Sequence, residues 1–156
     1  LLLFNIMLYN WIMKLDEFIN RYINTKVDFD KAFGAQCVDL FRQYCKDVLN
    51  IPHTGAVEGA KDIFLSYDKL PLEQKYFKKY SKNNPEPADV IIWNETKTNK
   101  YGHIAIVVSY LSNDKVLVFE QDGFKQNGAK LSIRTTENML GVLRFNGGNI
   151  VWTSTI

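Results

Sequence analysis

Apolar positions in the first half of the chain recur at helical steps, whereas those in the second half fall in short β-branched and aromatic runs. Leu15, Phe18, Ile19, Tyr22 and Ile23 follow steps of three and four and predict a helix over residues 13–24. Cys37, Leu40, Phe41, Tyr44, Cys45 and Val48 stand at offsets 0, 3, 4, 7, 8 and 11. This stripe predicts a helix over 36–49 with Cys37 in its first turn. Ile51-Pro52-His53-Thr54-Gly55 interrupts the pattern, and a weaker helical spacing resumes over 57–67. Residues 69–87, Lys-rich and carrying Pro71, Pro85 and Pro87, read as an irregular connection with room for one helical turn. Beyond Pro87, residues 90–93, 104–110, 115–121 and 140–145 read as strands, with a fifth near 131–134. Ser112-Asn113-Asp114 is short enough to join the second and third of these as an antiparallel hairpin. Helices preceding an antiparallel sheet imply an α+β domain with the N-terminal helices packed on the sheet.

Length and composition narrow the function. A chain of 156 residues with 46% apolar and 13% aromatic residues has one domain's worth of core-forming side chains. Nineteen basic residues against 17 acidic ones leave a net charge of +2, too small for nucleic-acid binding to be expected. The basic residues Lys75, Lys78, Lys79 and Lys82 read as a solvated face. Residues 1–12 form an apolar, uncharged N-terminal extension that meets Lys14-Leu15-Asp16-Glu17 abruptly. It is shorter than the ~20 residues of a membrane-spanning helix and lacks a basic leader region, so no stable membrane insertion is expected and Met13 is a plausible natural start. Residues 13–146 are then the domain and 147–156 a tail, with a monomer the expected state. The two cysteines, Cys37 and Cys45, would lie about 12 Å apart on one helix, beyond the roughly 7 Å reach of a disulfide, so both are expected as free thiols.

The hairpin supplies the first chemistry. A turn centred near 112 sets His103 opposite a position between 120 and 123. Glu120 and Asp122 both lie in that window and, two residues apart, share one face. A carboxylate beside an imidazole fixes its tautomer and stabilises its charged form. Cys37 would be the nucleophile, since the positive end of a helix dipole favours the thiolate, provided the helix lays that end against the sheet. Upstream, Asp28, Asp30 and Asp39 flank the cysteine with Gly34 between them. Hard oxygen donors around a glycine bend suit calcium, but Ala32 stands where an EF-hand loop has its third acid. By itself the pattern reads as a solvated acidic loop with Asp39 exposed on the helix.

Two motifs change that balance. Gly34-Ala35-Gln36-Cys37-Val38-Asp39-Leu40 and Tyr101-Gly102-His103-Ile104-Ala105-Ile106-Val107 resemble the signature blocks of the CHAP family of cysteine, histidine-dependent amidohydrolases and peptidases, most closely as found in phage endolysins. Phe119-Glu120-Gln121 is similar to the family's strand bearing the triad acid, and Asp89 to Trp93 to the strand before the histidine. The resemblance runs from about Met13 to Phe145.

The resemblance implies a papain-like fold and a peptidoglycan hydrolase, either an N-acetylmuramoyl-L-alanine amidase or an endopeptidase of stem or cross-bridge. Cys37 would attack, His103 act as base and acid, and Glu120 orient the ring, with Gln36 and the Cys37 amide facing the oxyanion. It also implies a structural calcium ion held by Asp28, Asp30 and Asp39, with carbonyls of Ala32 and Gly34 completing the shell. Such an enzyme is made in the cytoplasm of a host bacterium and acts on the cell wall. The family often carries Asn where this chain has Asp122, which leaves the choice between Glu120 and Asp122 open, and Ala88 stands where Gly commonly precedes the Asp of the next strand. Two alternatives stand beside the hydrolase: a thiol amidase acting on a soluble amide, and a calcium-stabilised wall-binding module without catalysis.

Overall fold

The computed structural model describes residues 13–81 and 84–147. The N-terminal extension expected over residues 1–12, and most of the expected tail, lie outside them. Helix α1 is Leu15–Tyr22 and α2 is Cys37–Tyr44, which continues as a π-helical turn, Cys45–Leu49, closed by Asn50 in the left-handed conformation (φ 53°). Helix α3 is Ala60–Leu65 and α4 is Pro71–Tyr76, opened by a proline at its first position, where no backbone donor is lost. The strands are β1 (Phe77–Ser81), β2 (Val90–Trp93), β3 (His103–Tyr110), β4 (Lys115–Glu120), β5 (Lys130–Thr135) and β6 (Met139–Phe145). They form one antiparallel sheet in the order β1-β6-β2-β3-β4-β5.

Alternation sorts the sheet's side chains into two layers. Val90, Ile92, Ile104, Ile106, Phe119 and Leu143 face the helices, where they meet Leu15, Phe18, Leu40, Phe41 and Tyr44. Phe18 stands edge-on to both Tyr44 and Phe119, with centroids 5.8 and 5.9 Å away. Ile91, Trp93, Ala105, Val107, Val116, Val118 and Val142 form a smaller core on the opposite face. The sheet curls around that second core: the Trp93 indole donates to the Thr135 carbonyl (3.0 Å) and the Asn94 amide to the Asn138 carbonyl (3.0 Å). The far end of β5 is thereby carried back toward β2.

The α+β architecture and the helix-then-strand order are those expected, and the β3–β4 hairpin pairs Ile106 with Phe119 and Val107 with Val118 before a bulge shifts the register. One expectation is corrected. The stretch read as irregular contains β1, paired along its length with β6. Phe77 is buried while Lys78 and Lys79 lie over the rings of Tyr80 and of Phe64 and Tyr67, so the lysines protect a sheet edge instead of marking a loop.

Candidate active site

Three elements converge at the start of β3. Helix α2 packs along β3 and begins with Cys37, a partly buried free thiol. His103 is the first residue of β3, and its register partner Trp93 stacks against it with ring centroids 5.6 Å apart. Gly102 makes this entry possible: its φ is +71°, and a Cβ there would stand 2.5 Å from the Trp93 carbonyl oxygen and 2.8 Å from Lys61 Cβ. Glu120 closes β4 on the same face, 2% exposed, and its Oε2 lies 2.8 Å from His103 Nε2. The same oxygen accepts a hydrogen bond from Arg134 Nε on β5, whose guanidinium also lies over the Trp93 ring at 5.6 Å.

These contacts set the charges. Burial disfavours a charged imidazole, but the Cys37 sulfur and the Glu120 carboxylate outweigh it, and His103 is pushed up from 6.5 to about 9. Burial likewise opposes the Glu120 charge, yet His103 and Arg134 hold it down at about 2. With Nε2 given to Glu120, the other ring nitrogen is left for the thiol. A thiol, an imidazole and a carboxylate so arranged can serve as a nucleophile, a proton carrier and an orienting acid. A groove of about 870 Å³ opens onto it, lined among others by Gln36, Cys37, Trp93, His103 and Arg134. Its rim carries large apolar side chains held out in solvent: Phe33 is 91% exposed, Phe124 67% and Ile133 62%.

Of the two acids left open by spacing, the structure brings Glu120 to the ring and not Asp122. Asp122 Oδ1 accepts the amides of Phe124 (2.8 Å) and Lys125 (3.2 Å), and its carbonyl accepts that of Gln126. Its carboxylate is spent on the turn that follows β4, although the residue still lines the groove. Gln36 caps α2, its amide donating to Asp39 Oδ2 (2.9 Å), and borders the groove beside Gly123. Arg134 escaped the sequence reading; its only trace there is the polar alternation Lys130, Ser132, Arg134.

The acidic residues also gather. One carboxylate oxygen from each of Asp28, Asp30 and Asp39 lies within 4.8 Å of the others. Asp39 is fully buried, which corrects its reading as an exposed helix residue: as the third residue of α2 it turns back to cap the helix and receives the Asp30 amide (3.4 Å). Burial first, then the Asp30 charge, raise Asp39 above the usual carboxylate range, against the pull of the Gln36 amide and Arg42. Arg42 Nη1 lies 3.0 Å from Asp30 Oδ2 and 3.6 Å from Asp39 Oδ1. Asp28 Oδ1 is buried with no hydrogen-bond partner. The Ala32 amide donates to Asp30 Oδ1 (2.9 Å), and Gly34 takes a φ of +76° in the same loop.

The remaining candidates lie apart. Cys45 is buried on the helix stripe, where burial and Glu73 push its thiol well up. His53 packs edge-on against Phe29 at 4.6 Å and contacts the Thr54 carbonyl. No helix among the described residues is long and apolar enough to cross a membrane.

A family model described as the CHAP domain matches residues 26–122. Endolysin PlyTW of Staphylococcus phage Twort is 28% identical over 154 residues, which cover 93% of this chain and 32% of that protein. The crystal structure of a wild type endolysin, LysIME-EF1, superposes with a TM-score of 0.66 at 19% identity, over 85% of this chain and 64% of its own. That of Ly7917 gives 0.64 at 14% identity, over 82% and 60%. The chain thus spans about a third of the curated relative and under two thirds of these solved chains.

Proposed function

The chain belongs to the CHAP domain family, and from that premise we propose that it is a peptidoglycan hydrolase that cleaves an amide bond of the bacterial wall through a Cys37 thioester. The observation that carries this reading is the His103 ring, held between the Cys37 sulfur and the Glu120 carboxylate at the mouth of an open groove. An endolysin from a staphylococcal phage among its relatives supports the choice of substrate.

The chemistry follows from the charges. With His103 lifted to about 9, the ring keeps its proton in neutral solution, and the nucleophile is the Cys37 sulfur in its thiolate form, paired with that imidazolium. The thiolate attacks the amide carbonyl carbon and the carbonyl electrons move onto oxygen. Cys37 is the first residue of α2, so its own N–H makes no bond within the helix, and we assign it, with the neighbouring Gln36 side chain, to that oxygen. His103 then gives its proton to the departing amine as the C–N bond breaks, which leaves an acyl-thioester. The neutral imidazole takes a proton from water, the hydroxide adds to the thioester, and the carboxylic acid leaves as the thiolate returns. Glu120, itself clamped by Arg134, keeps Nε2 occupied throughout and the reactive nitrogen turned toward sulfur.

Asp28, Asp30 and Asp39 fit a calcium ion. Three carboxylates against the single guanidinium of Arg42 leave about two negative charges, and the unpartnered Asp28 Oδ1 is a hard donor without a hydrogen bond to lose. Bound there, calcium would supply charge neutralisation to the loop that leads into α2 and take no part in bond breaking.

The test is release of fragments from purified Gram-positive walls, wild type beside Cys37→Ala, with the new termini read by mass spectrometry. Release that requires Cys37 is the expected result, and the termini assign the muramoyl amide, the stem or the cross-bridge. No release from walls of several cross-bridge types would overturn the proposal.

A further inference from the structure

Two glutamine side chains outside the triad behave as substitute strands. Gln121, fully buried, accepts the Val27 amide at Oε1 (2.8 Å) and donates from Nε2 to the Val27 carbonyl (2.7 Å) and to that of Gln36 (2.8 Å). Gln126 repeats the pattern on Ala35: Oε1 accepts its amide (3.1 Å), and Nε2 donates to its carbonyl (3.1 Å) and to that of Gly123 (2.7 Å). Each amide thus satisfies both backbone groups of one residue, as a neighbouring strand would. Val27 and Ala35 bracket the loop that carries Asp28 and Asp30, and Gln36 directly precedes Cys37. Both glutamines stand within six residues of Glu120. Gln126 holds a φ of 52°, uncommon for a residue with a side chain, and Gly34 leaves room for its amide, since a Cβ there would lie 2.8 Å from Gln126 Oε1.

We infer that Gln121 and Gln126 are positioning residues that fix the backbone before Cys37, and both ends of the acidic loop, to the chain segment following Glu120, so that sulfur and imidazole meet in register. Helix α2 and strand β4 belong to different layers, and side-chain packing between the layers makes no backbone bond from one to the other. Five of the six hydrogen bonds cross from the Glu120 side to the Cys37 side, and the sixth, to Gly123, holds the Gln126 amide in place. This role deepens the proposed catalysis and rests on that reading of the triad, but its test needs no peptidoglycan.

The experiment compares Gln121→Met and Gln126→Met, which keep length and lose the hydrogen bonds, with wild type and with Tyr44→Phe, which removes a buried hydrogen bond to the Ala88 carbonyl in the helix layer. All are assayed below their melting temperatures at one calcium concentration. One readout is the alkylation rate of Cys37 by iodoacetamide at neutral pH, with peptide mapping to separate it from Cys45. The other is the NMR titration of the His103 ring, one of two histidines. Each glutamine variant is expected to slow Cys37 alkylation about ten-fold, the scale on which sub-ångström misplacement acts, and to move the His103 titration down from about 9. Tyr44→Phe should lose stability and leave both readouts in place. Glutamine variants that lose stability while keeping the wild-type alkylation rate and His103 titration would overturn the inference. Should Gln121→Met fail to fold, the partly exposed Gln126→Met decides the matter by the same two outcomes. Intact readouts in a chain that releases nothing from walls would instead count against the substrate.

Discussion

Glu120→Gln separates charge from shape at the centre of the site, because the two side chains are isosteric and Arg134 Nε still finds an oxygen to bond. Lifting His103 from 6.5 to about 9 corresponds to about 3 kcal/mol of preference for the protonated ring in the folded state. Cys37 and Glu120 share it, and the Glu120 carboxylate is nearly excluded from solvent, so its part is not screened away. Removing the charge should therefore cost about 2 kcal/mol where the interaction is fully developed. The His103 contribution is complete below pH 6.5 and fades as pH rises through about 9, because the folded value lies above the unfolded one. The Glu120 contribution has the opposite sense: it is complete above 4.5 and is lost as pH falls toward about 2. Both are present between pH 4.5 and 6.5. Urea unfolding of wild type and Glu120→Gln, extrapolated to water at half-unit intervals from pH 5 to 10, should show the largest gap near pH 6 and a gap smaller by about 2 kcal/mol at pH 10. The His103 signal should titrate near 9 in wild type and lower in the variant. A gap that stays constant across the range, or a wild-type His103 titrating at 6.5, would refute the ion pair as the source of the perturbation.

Calcium at about 100 times its dissociation constant should stabilise the fold by about 2.7 kcal/mol, read as a rise in Tm that EDTA reverses and Asp28→Asn removes; an unchanged Tm on chelation sinks the metal reading. Phe33→Ala and Phe124→Ala, at exposed positions on the groove rim, should leave Tm unmoved and raise KM for wall fragments with kcat preserved, and a fall in kcat alone would argue against a rim that binds substrate. Ala88 holds a φ of 74° and is 9% exposed, so Ala88→Gly trades relief of about 1–2 kcal/mol of left-handed strain against a lost methyl contact and a freer unfolded chain, and should change stability by less than about 1 kcal/mol. Ala88→Val, β-branched in that conformation, should cost at least about 2 kcal/mol by chemical denaturation, and equal effects of Gly and Val would contradict the assigned backbone.

What was legible in the sequence, and what was not, divides along the distance over which each interaction acts. The α2 stripe is legible because burial on one helix face repeats every three or four residues, and it places Cys37 at the first turn without any tertiary information. The hairpin is legible because a short turn fixes a register, and register brings His103 near two carboxylates. The choice between them is a matter of where the strand stops. β4 ends at Glu120, and Asp122 turns its carboxylate onto the amides that follow, an Asx turn that alternation along a strand does not reveal. β1 was missed because two adjacent lysines hide a period of two, and only its pairing with β6, 60 to 68 residues on, makes it a strand. Arg134 and the two glutamines were missed for a related reason. The curl of the sheet brings Arg134 to Glu120, and single amides join Gln121 and Gln126 to backbone 85 to 94 residues away. One side chain bonded to remote backbone leaves no periodic mark, so the thiol, the imidazole and a carboxylate can be read from the chain, while the groups that hold them together emerge only once the chain is folded.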